Sequence, residues 1–252
     1  MPARPALVGA LAALALAAPA AAQSSLGLAA GGLSFGAVAE DGATHGRVEG
    51  WLDLAITAAH GLQLDLAVED RAEGTLATVG GHLYLAPGPG RKYGFFGSVA
   101  DLDGEGFTLG TAGAEGLWAL GERTALEARL GVGIADRAAG GRLDFVFAGA
   151  SVMHELGDVT LGLSAEIAEY DETGFRAIGS TVMLEADWRP RGSPITVSAG
   201  IGVSDLSGSD GRPAETVARL SVGLSFGAAA DPARRPFRRS DPYGPLALRG
   251  LF

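Results

Sequence analysis

Cysteine is absent from the 252-residue sequence. That excludes disulfide staples, thiolate nucleophiles and thiolate metal sites. Beyond the N-terminus no stretch approaches the ~18 consecutive apolar residues of a membrane helix. Histidine is scarce: His45, His60, His82 and His154 are the whole complement, and no His/Asp/Glu spacing repeats in the manner of a zinc site. Basic charge is short as well. Nineteen Lys and Arg stand against 29 Asp and Glu, a net charge of −10. Such acidity argues against a nucleic-acid partner, which calls for a basic face.

What is abundant is glycine, 40 residues, within a chain that is 47% apolar and only 7% aromatic. Glycine is a poor helix former, and no G-X-Y period marks a collagen. The N-terminus reads MPARPALVGALAALALAAPAAAQ: a positive Arg4, an apolar Ala/Leu run, a Pro19 break and small residues at Ala20–Ala22. That order predicts a cleaved signal peptide over residues 1–22, cut near Ala22/Gln23.

Strict alternation of apolar and polar residues is the main signal. Leu126, Ala128, Leu130, Val132 and Ile134 alternate with Glu127, Arg129, Gly131 and Gly133; Val159, Leu161, Leu163, Ala165 and Ile167 alternate with Thr160, Gly162, Ser164 and Glu166. Residues 195–203, 48–56 and 62–68 repeat the pattern, and 216–226 closes it. Period two means strands with one apolar and one polar face. With the weaker segments 26–38, 76–85, 92–100, 107–120, 143–154 and 177–188, the count is twelve strands, within a range of ten to twelve. A parity shift around Gly31–Gly32 predicts a bulge in the first strand.

The connections fall into two alternating sets. One set (39–46, 69–75, 101–106, 136–142, 170–176 and 204–215) is mostly longer and carries a summed charge of −9; the other (59–61, 86–91, 121–123, 155–158 and 189–194) carries +1. Long loops at one end and short turns at the other fit an antiparallel up-and-down transmembrane β-barrel, all-β, with both chain ends on the short-turn, periplasmic side. Tyr93, Trp118, Trp188 and Phe226 fall at the short-turn ends of outward runs, where an interfacial girdle belongs, and Phe145 is the candidate at the other end. The alternative is a β-sandwich with the apolar faces as its core. Residues 23–227 form the barrel in this reading. Residues 228–252 form an irregular Pro/Arg-rich periplasmic tail that carries +3 against −14 for residues 24–227.

The pattern resembles bacterial outer-membrane β-barrel proteins of the porin-like kind, and "RLSVGLSF" at Arg219–Phe226 looks like the terminal signal read by their assembly machinery. The resemblance implies a channel in the bacterial outer membrane, with lipid, assembly machinery and small hydrophilic solutes as partners. The chain departs from the class by continuing past Phe226 to Phe252. Its end, "PLALRGLF", is a second candidate for the signal.

Motifs of catalysis are weak. "GLSFG" occurs at Gly32–Gly36 and again at Gly223–Gly227 and fits G-x-S-x-G. Neither copy has the strand–turn–helix setting of a nucleophile elbow; both belong to the first and last strands, which are neighbours in a closed meander. "SVMH" at Ser151–His154 has the wrong spacing for a lipid hydrolase, and "DLDGEG" at Asp101–Gly106 lacks the twelfth-position Glu of a calcium loop. No enzyme and no cofactor are expected.

Inward parity collects Glu49, Asp53, Asp65, Glu115, Glu127, Asp144, Glu166, Glu185 and Asp187, against Arg47, Lys92, Arg129 and Arg219. These carboxylates, with Arg129 and Arg219, are the candidate selectivity residues. Charges in such an interior need water or partners. The expected function is passive diffusion of small hydrophilic solutes with a preference for cations. The alternatives are a closed, salt-bridged barrel with a structural or adhesive role and a periplasmic β-sandwich binding module. The tail arginines Arg234, Arg235, Arg238 and Arg239 can reach the acidic lumen rim as a plug or tether; the other reading is an extension that touches nothing.

Overall fold

The structure is a computed structural model that describes residues 27–40, 42–71, 74–103, 107–136, 142–172, 175–208, 212–227 and 235–242. The expected leader at 1–22, Arg234 and "PLALRGLF" lie outside the described residues.

Twelve strands form one closed antiparallel barrel in strict meander order, sealed where the first strand pairs with the last. They are β1 (Gly27–Glu40), β2 (Ala43–Ala55), β3 (His60–Asp70), β4 (Thr75–Gly88), β5 (Arg91–Asp103), β6 (Phe107–Ala119), β7 (Thr124–Asp136), β8 (Arg142–Leu156), β9 (Val159–Glu172), β10 (Phe175–Trp188), β11 (Ile195–Gly208) and β12 (Arg212–Phe226). Closure removes every free edge and excludes the sandwich. The outer face is a belt of exposed apolar side chains, Leu130, Leu163, Leu184, Leu220 and Val222 among them. A contiguous apolar surface of that extent suits lipid rather than water. Glu127, Glu166 and Arg219 point the other way, into the lumen, as period two requires.

The two GLSFG copies meet at the seam. Gly32 stands opposite Ser225, Leu33 opposite Leu224, and Ser34 opposite Gly223. An antiparallel pairing centred on the two leucines places each serine against a glycine, so the lumen side of the seam carries only small residues. The repeat is therefore a self-complementary closure. The bulge expected near Gly31–Gly32 is found slightly earlier, as a register shift between Leu28 and Ala30.

Two expectations are corrected. The difference in loop length largely disappears, because the strands run on into the acidic connections: links at that end span two to five residues, those at the other two to six. These are called the loop end and the turn end below. The second correction is the face of β8. Asp144 lies on the outer surface beside Arg142, 3.4 Å away, and Phe145 points into the barrel, fully opposite to the expected placement. β8 has apolar residues on both faces, Leu143, Phe145 and Phe147 inward and Val146 and Val152 outward, so apolar alternation alone does not fix its orientation. At the strand's loop end an outward carboxylate stays wet.

Inward glycines on β7 make room for those rings. Gly131 pairs with Phe147 and Gly133 with Phe145. A Cβ at Gly131 would sit 2.6 Å from the Phe147 ring and 2.8 Å from the Ala112 carbonyl oxygen. Gly131→Ala is expected to cost about 1–3 kcal/mol through overpacking, seen as a lower urea midpoint for refolded barrel; an unchanged midpoint would show that the Phe147 ring moves aside freely.

Candidate functional site

The lumen is divided along its axis. At the loop end its β4–β11 side is filled by an apolar cluster that includes Leu76, Phe96, Phe107, Phe145, Phe147 and Tyr170. This cluster was not expected from the sequence, and it depends on the β8 register just described.

Below it the wall is polar and bonded to itself. His82 on β4 sits between two carboxylates, with Nε2 2.8 Å from Asp65 and Nδ1 2.6 Å from Glu115. Carboxylates accept, so the ring serves as a double donor. Gln63 donates to Asp65 at 2.9 Å, and the Tyr84 hydroxyl donates to Asp53 at 2.5 Å. Arg129 pairs with Glu127 at 2.6 Å. Nearer the loop end Arg47 bridges Glu49 (2.6 Å) and Glu69 (3.4 Å), while Arg71 joins Glu40 (2.9 Å) and Glu69 (2.6 Å).

Residues 235–242 run through this lumen. Arg235 pairs with Glu155 near the turn end, and Tyr170 near the loop end donates its hydroxyl to the Pro242 carbonyl. Between them Phe237 is buried, its ring stacked on His82 at a centroid distance of 5.7 Å and edge-on to Tyr84 at 6.1 Å. The Lys92 ammonium lies 4.4 Å from the Phe237 ring centroid. The Gln63 amide holds the Phe237 backbone at both ends, donating to its carbonyl at 2.9 Å and accepting its N–H at 2.8 Å. The Arg238 N–H donates to Glu127 at 3.0 Å and its guanidinium reaches Glu185 at 2.5 Å. Arg239 approaches Glu49 at 3.5 Å, Ser240 donates to Glu166 at 2.8 Å, and Asp241 faces Arg219 at 3.7 Å. Burial disfavours the Asp241 charge, but the guanidiniums of Arg239, Arg47, Arg219 and Arg71 outweigh it and hold the carboxyl below the usual carboxylate range.

The segment separates two spaces. A vestibule of about 760 Å³ opens at the turn end, lined by Trp51, Asp187, Arg189 and the small seam residues; a pocket of about 80 Å³ lies deeper, beside Glu69, Arg71, Ser151 and Glu166. Arg238, Arg239 and Asp241 line both. The Ser151 hydroxyl has no protein partner there, and the pocket has room for water to serve it.

Ten of the eleven sequence-derived residues face this lumen: Glu49, Asp53, Asp65, Glu115, Glu127, Arg129, Glu166, Glu185, Asp187 and Arg219. Asp144 does not. Gln63, Tyr84, Lys92 and Phe237 were not among them, although inward parity signals the first three. Ser151 faces in and His154 out, where it meets Thr124 at 2.8 Å, so "SVMH" forms no pair. Asp101 bonds Thr108 at 2.8 Å; the rest of "DLDGEG" at 104–106 lies outside the described residues. No group of metal-binding side chains occurs among the described residues.

No known family profile matches the chain, and no curated protein matches it by sequence. Solved structures do. The NanC porin in a rhombohedral crystal form aligns with a TM-score of 0.61 at 10% identity, covering 76% of this chain and 98% of that one. The KdgM porin in complex with disordered oligogalacturonate aligns at 0.54 with 12% identity, over 77% and 99%. The KdgM porin alone gives 0.51 at 11% identity over the same shares. The fold is porin-like. At such identities the likeness concerns architecture alone.

Proposed function

We propose that this chain is a porin-like channel of the bacterial outer membrane that passes small hydrophilic solutes passively and is closed at rest by residues 235–242. The observation that carries this reading is a charged, hydroxyl-rich lumen, with a vestibule at one end, inside a barrel whose outer face suits lipid. A hydrocarbon-facing shell needs only an apolar outside; the polar inside is the part that a passage uses. With the segment in place most lumen carboxylates have a cationic partner. Its departure would remove Arg235, Arg238 and Arg239 against one Asp241, leaving the lumen more negative. Fixed negative charge in a narrow wet bore concentrates cations. The open state therefore prefers cations, and Glu49, Glu185 and Asp187 supply the preference beside the vestibule.

A second reading is a barrel that does not conduct and acts structurally. The apolar cluster across the β4–β11 side of the loop end favours it, since that side stays filled whatever the segment does.

Planar-bilayer recording separates the two. The chain carries a specific protease site inserted within 228–234 and is cleaved after folding. Conductance is expected to rise after cleavage, and the reversal potential in a KCl gradient to lie on the cation side. Neutralising Glu49, Glu185 and Asp187 together should move it toward zero. Silence after release of the segment supports the structural reading, and anion selectivity would overturn the role given to the carboxylates.

A further inference from the structure

The segment 235–242 is held in a manner that chain packing alone does not require. Simple filling needs shape; here the main chain itself is read. Gln63 spends its amide on both backbone groups of Phe237, as a neighbouring strand would, and Lys92 donates to the Arg235 carbonyl at 3.3 Å. Glu127 takes the next N–H, that of Arg238. Backbone recognition of an extended segment, with a pocket for one side chain, is the logic of peptide-binding domains.

The pocket is also organised without its occupant. Gln63 is oriented by Asp65, His82 by Asp65 and Glu115, Tyr84 by Asp53, and Glu127 by Arg129. None of those contacts involves the segment, so its removal leaves the wall groups tied in place. A preorganised wall lowers the ordering cost of binding. The ligand side is prepared as well: Pro236 fixes φ near −65° immediately before the anchor Phe237 and removes an N–H there.

Side-chain order matches wall order. Arg235 meets Glu155 toward the turn end, Phe237 meets the His82–Tyr84–Lys92 pocket, and Arg238 and Arg239 meet Glu185 and Glu49. Asp241 then meets Arg219. Reversing the segment would oppose like charges.

We propose that the lumen is a binding site for an extended peptide bearing an aromatic residue followed by two basic ones, with residues 235–242 as its resident ligand and a segment of the same chemistry on another polypeptide as its alternative one. The inference goes beyond the channel reading and does not depend on it, since the site binds whether or not the bore conducts.

The test uses the full chain with the protease site within 228–234, folded in detergent, verified by heat-modifiable gel migration and then cleaved. The probe is a fluorescent peptide with the sequence of residues 234–243, RRPFRRSDPY, followed by anisotropy. Saturable binding at one peptide per barrel is expected, with release of the cleaved segment. The same peptide carrying Phe237→Ala should bind at least about tenfold more weakly, as loss of a buried anchor implies. A scrambled peptide of identical composition should also be weaker, and the difference between them should persist in ~1 M salt, which screens charge. Both controls leave the barrel unaltered, so folding does not confound them. Gln63→Ala in the barrel should weaken the native peptide similarly. Equal binding of native and scrambled peptides would reduce the site to charge attraction and overturn the proposal. Failure of the labelled peptide to exchange with the cleaved segment would overturn it too, leaving residues 235–242 as a fixed strut.

Discussion

Leu163→Arg is expected to abolish efficient barrel assembly, and Ser164→Arg to be tolerated. The two residues are neighbours on β9 and point to opposite sides: Leu163 is 55% exposed on the apolar belt, and Ser164 lines the inner pocket beside Glu166. An arginine near the bilayer midplane of a barrel's lipid face costs about 2–4 kcal/mol. In the lumen the same side chain finds a carboxylate and water. Heat-modifiable migration after refolding into bilayers reads the folded fraction directly. Efficient folding of Leu163→Arg together with failure of Ser164→Arg would reverse the two faces, and with them every residue assigned to the lumen.

The largest functional effect is expected from reversing the two arginines of the lumen segment. In Arg238→Glu/Arg239→Glu the chain keeps its length, yet two carboxylates replace the partners of Glu185 and Glu49. Attraction becomes repulsion at both points, and Glu127 gains an acidic neighbour. Each broken pair costs on the order of 1–3 kcal/mol, allowing for the partly exposed partners. The full-length variant should conduct like the cleaved protein at low ionic strength, with a stronger cation preference than wild type. High salt should narrow the difference between variant and wild type, because the interactions at stake are screened. A variant as closed as wild type would mean that Phe237 and its backbone clamp hold the segment unaided.

Much of the barrel is legible in the sequence because one physical constraint repeats along it. Leu126–Ile134 or Val159–Ile167 each separate lipid from water residue by residue, and the periodicity survives without any knowledge of partners. Where both faces are apolar, as in β8, that contrast vanishes, and parity points Asp144 and Phe145 to the wrong sides. Strand ends were hidden for a related reason: polar residues such as Thr44 and Thr75 prolong pairing above the membrane as readily as they form loops. For the site, period two along β4 puts His82 and Tyr84 on the inward face. It did not show that His82 lies between Asp65 and Glu115, because the meeting of three strands depends on barrel stagger, which is a property of the closed sheet. The charge match between tail and lumen was visible as +3 against −14. The anchor was not. A single Phe237 in a Pro/Arg-rich stretch has no period to reveal its direction, and its pocket is assembled from β3, β4 and β5.

Pairing in the wall joins neighbours in sequence everywhere except at the β1–β12 seam, where Gly31 meets Phe226. The lumen contacts are almost as remote, with Gln63 and Phe237 separated by 174 residues. Hairpins close quickly; distant contacts must wait for the long loop between them to be drawn in. Residues 235–242 also have no cavity to enter until the strands around them exist. The order of events is thereby imposed by connectivity: the wall first, the occupant afterwards. Each molecule has a vacant lumen site before it has an occupied one, and the length of that interval is set by how fast eight residues find their places.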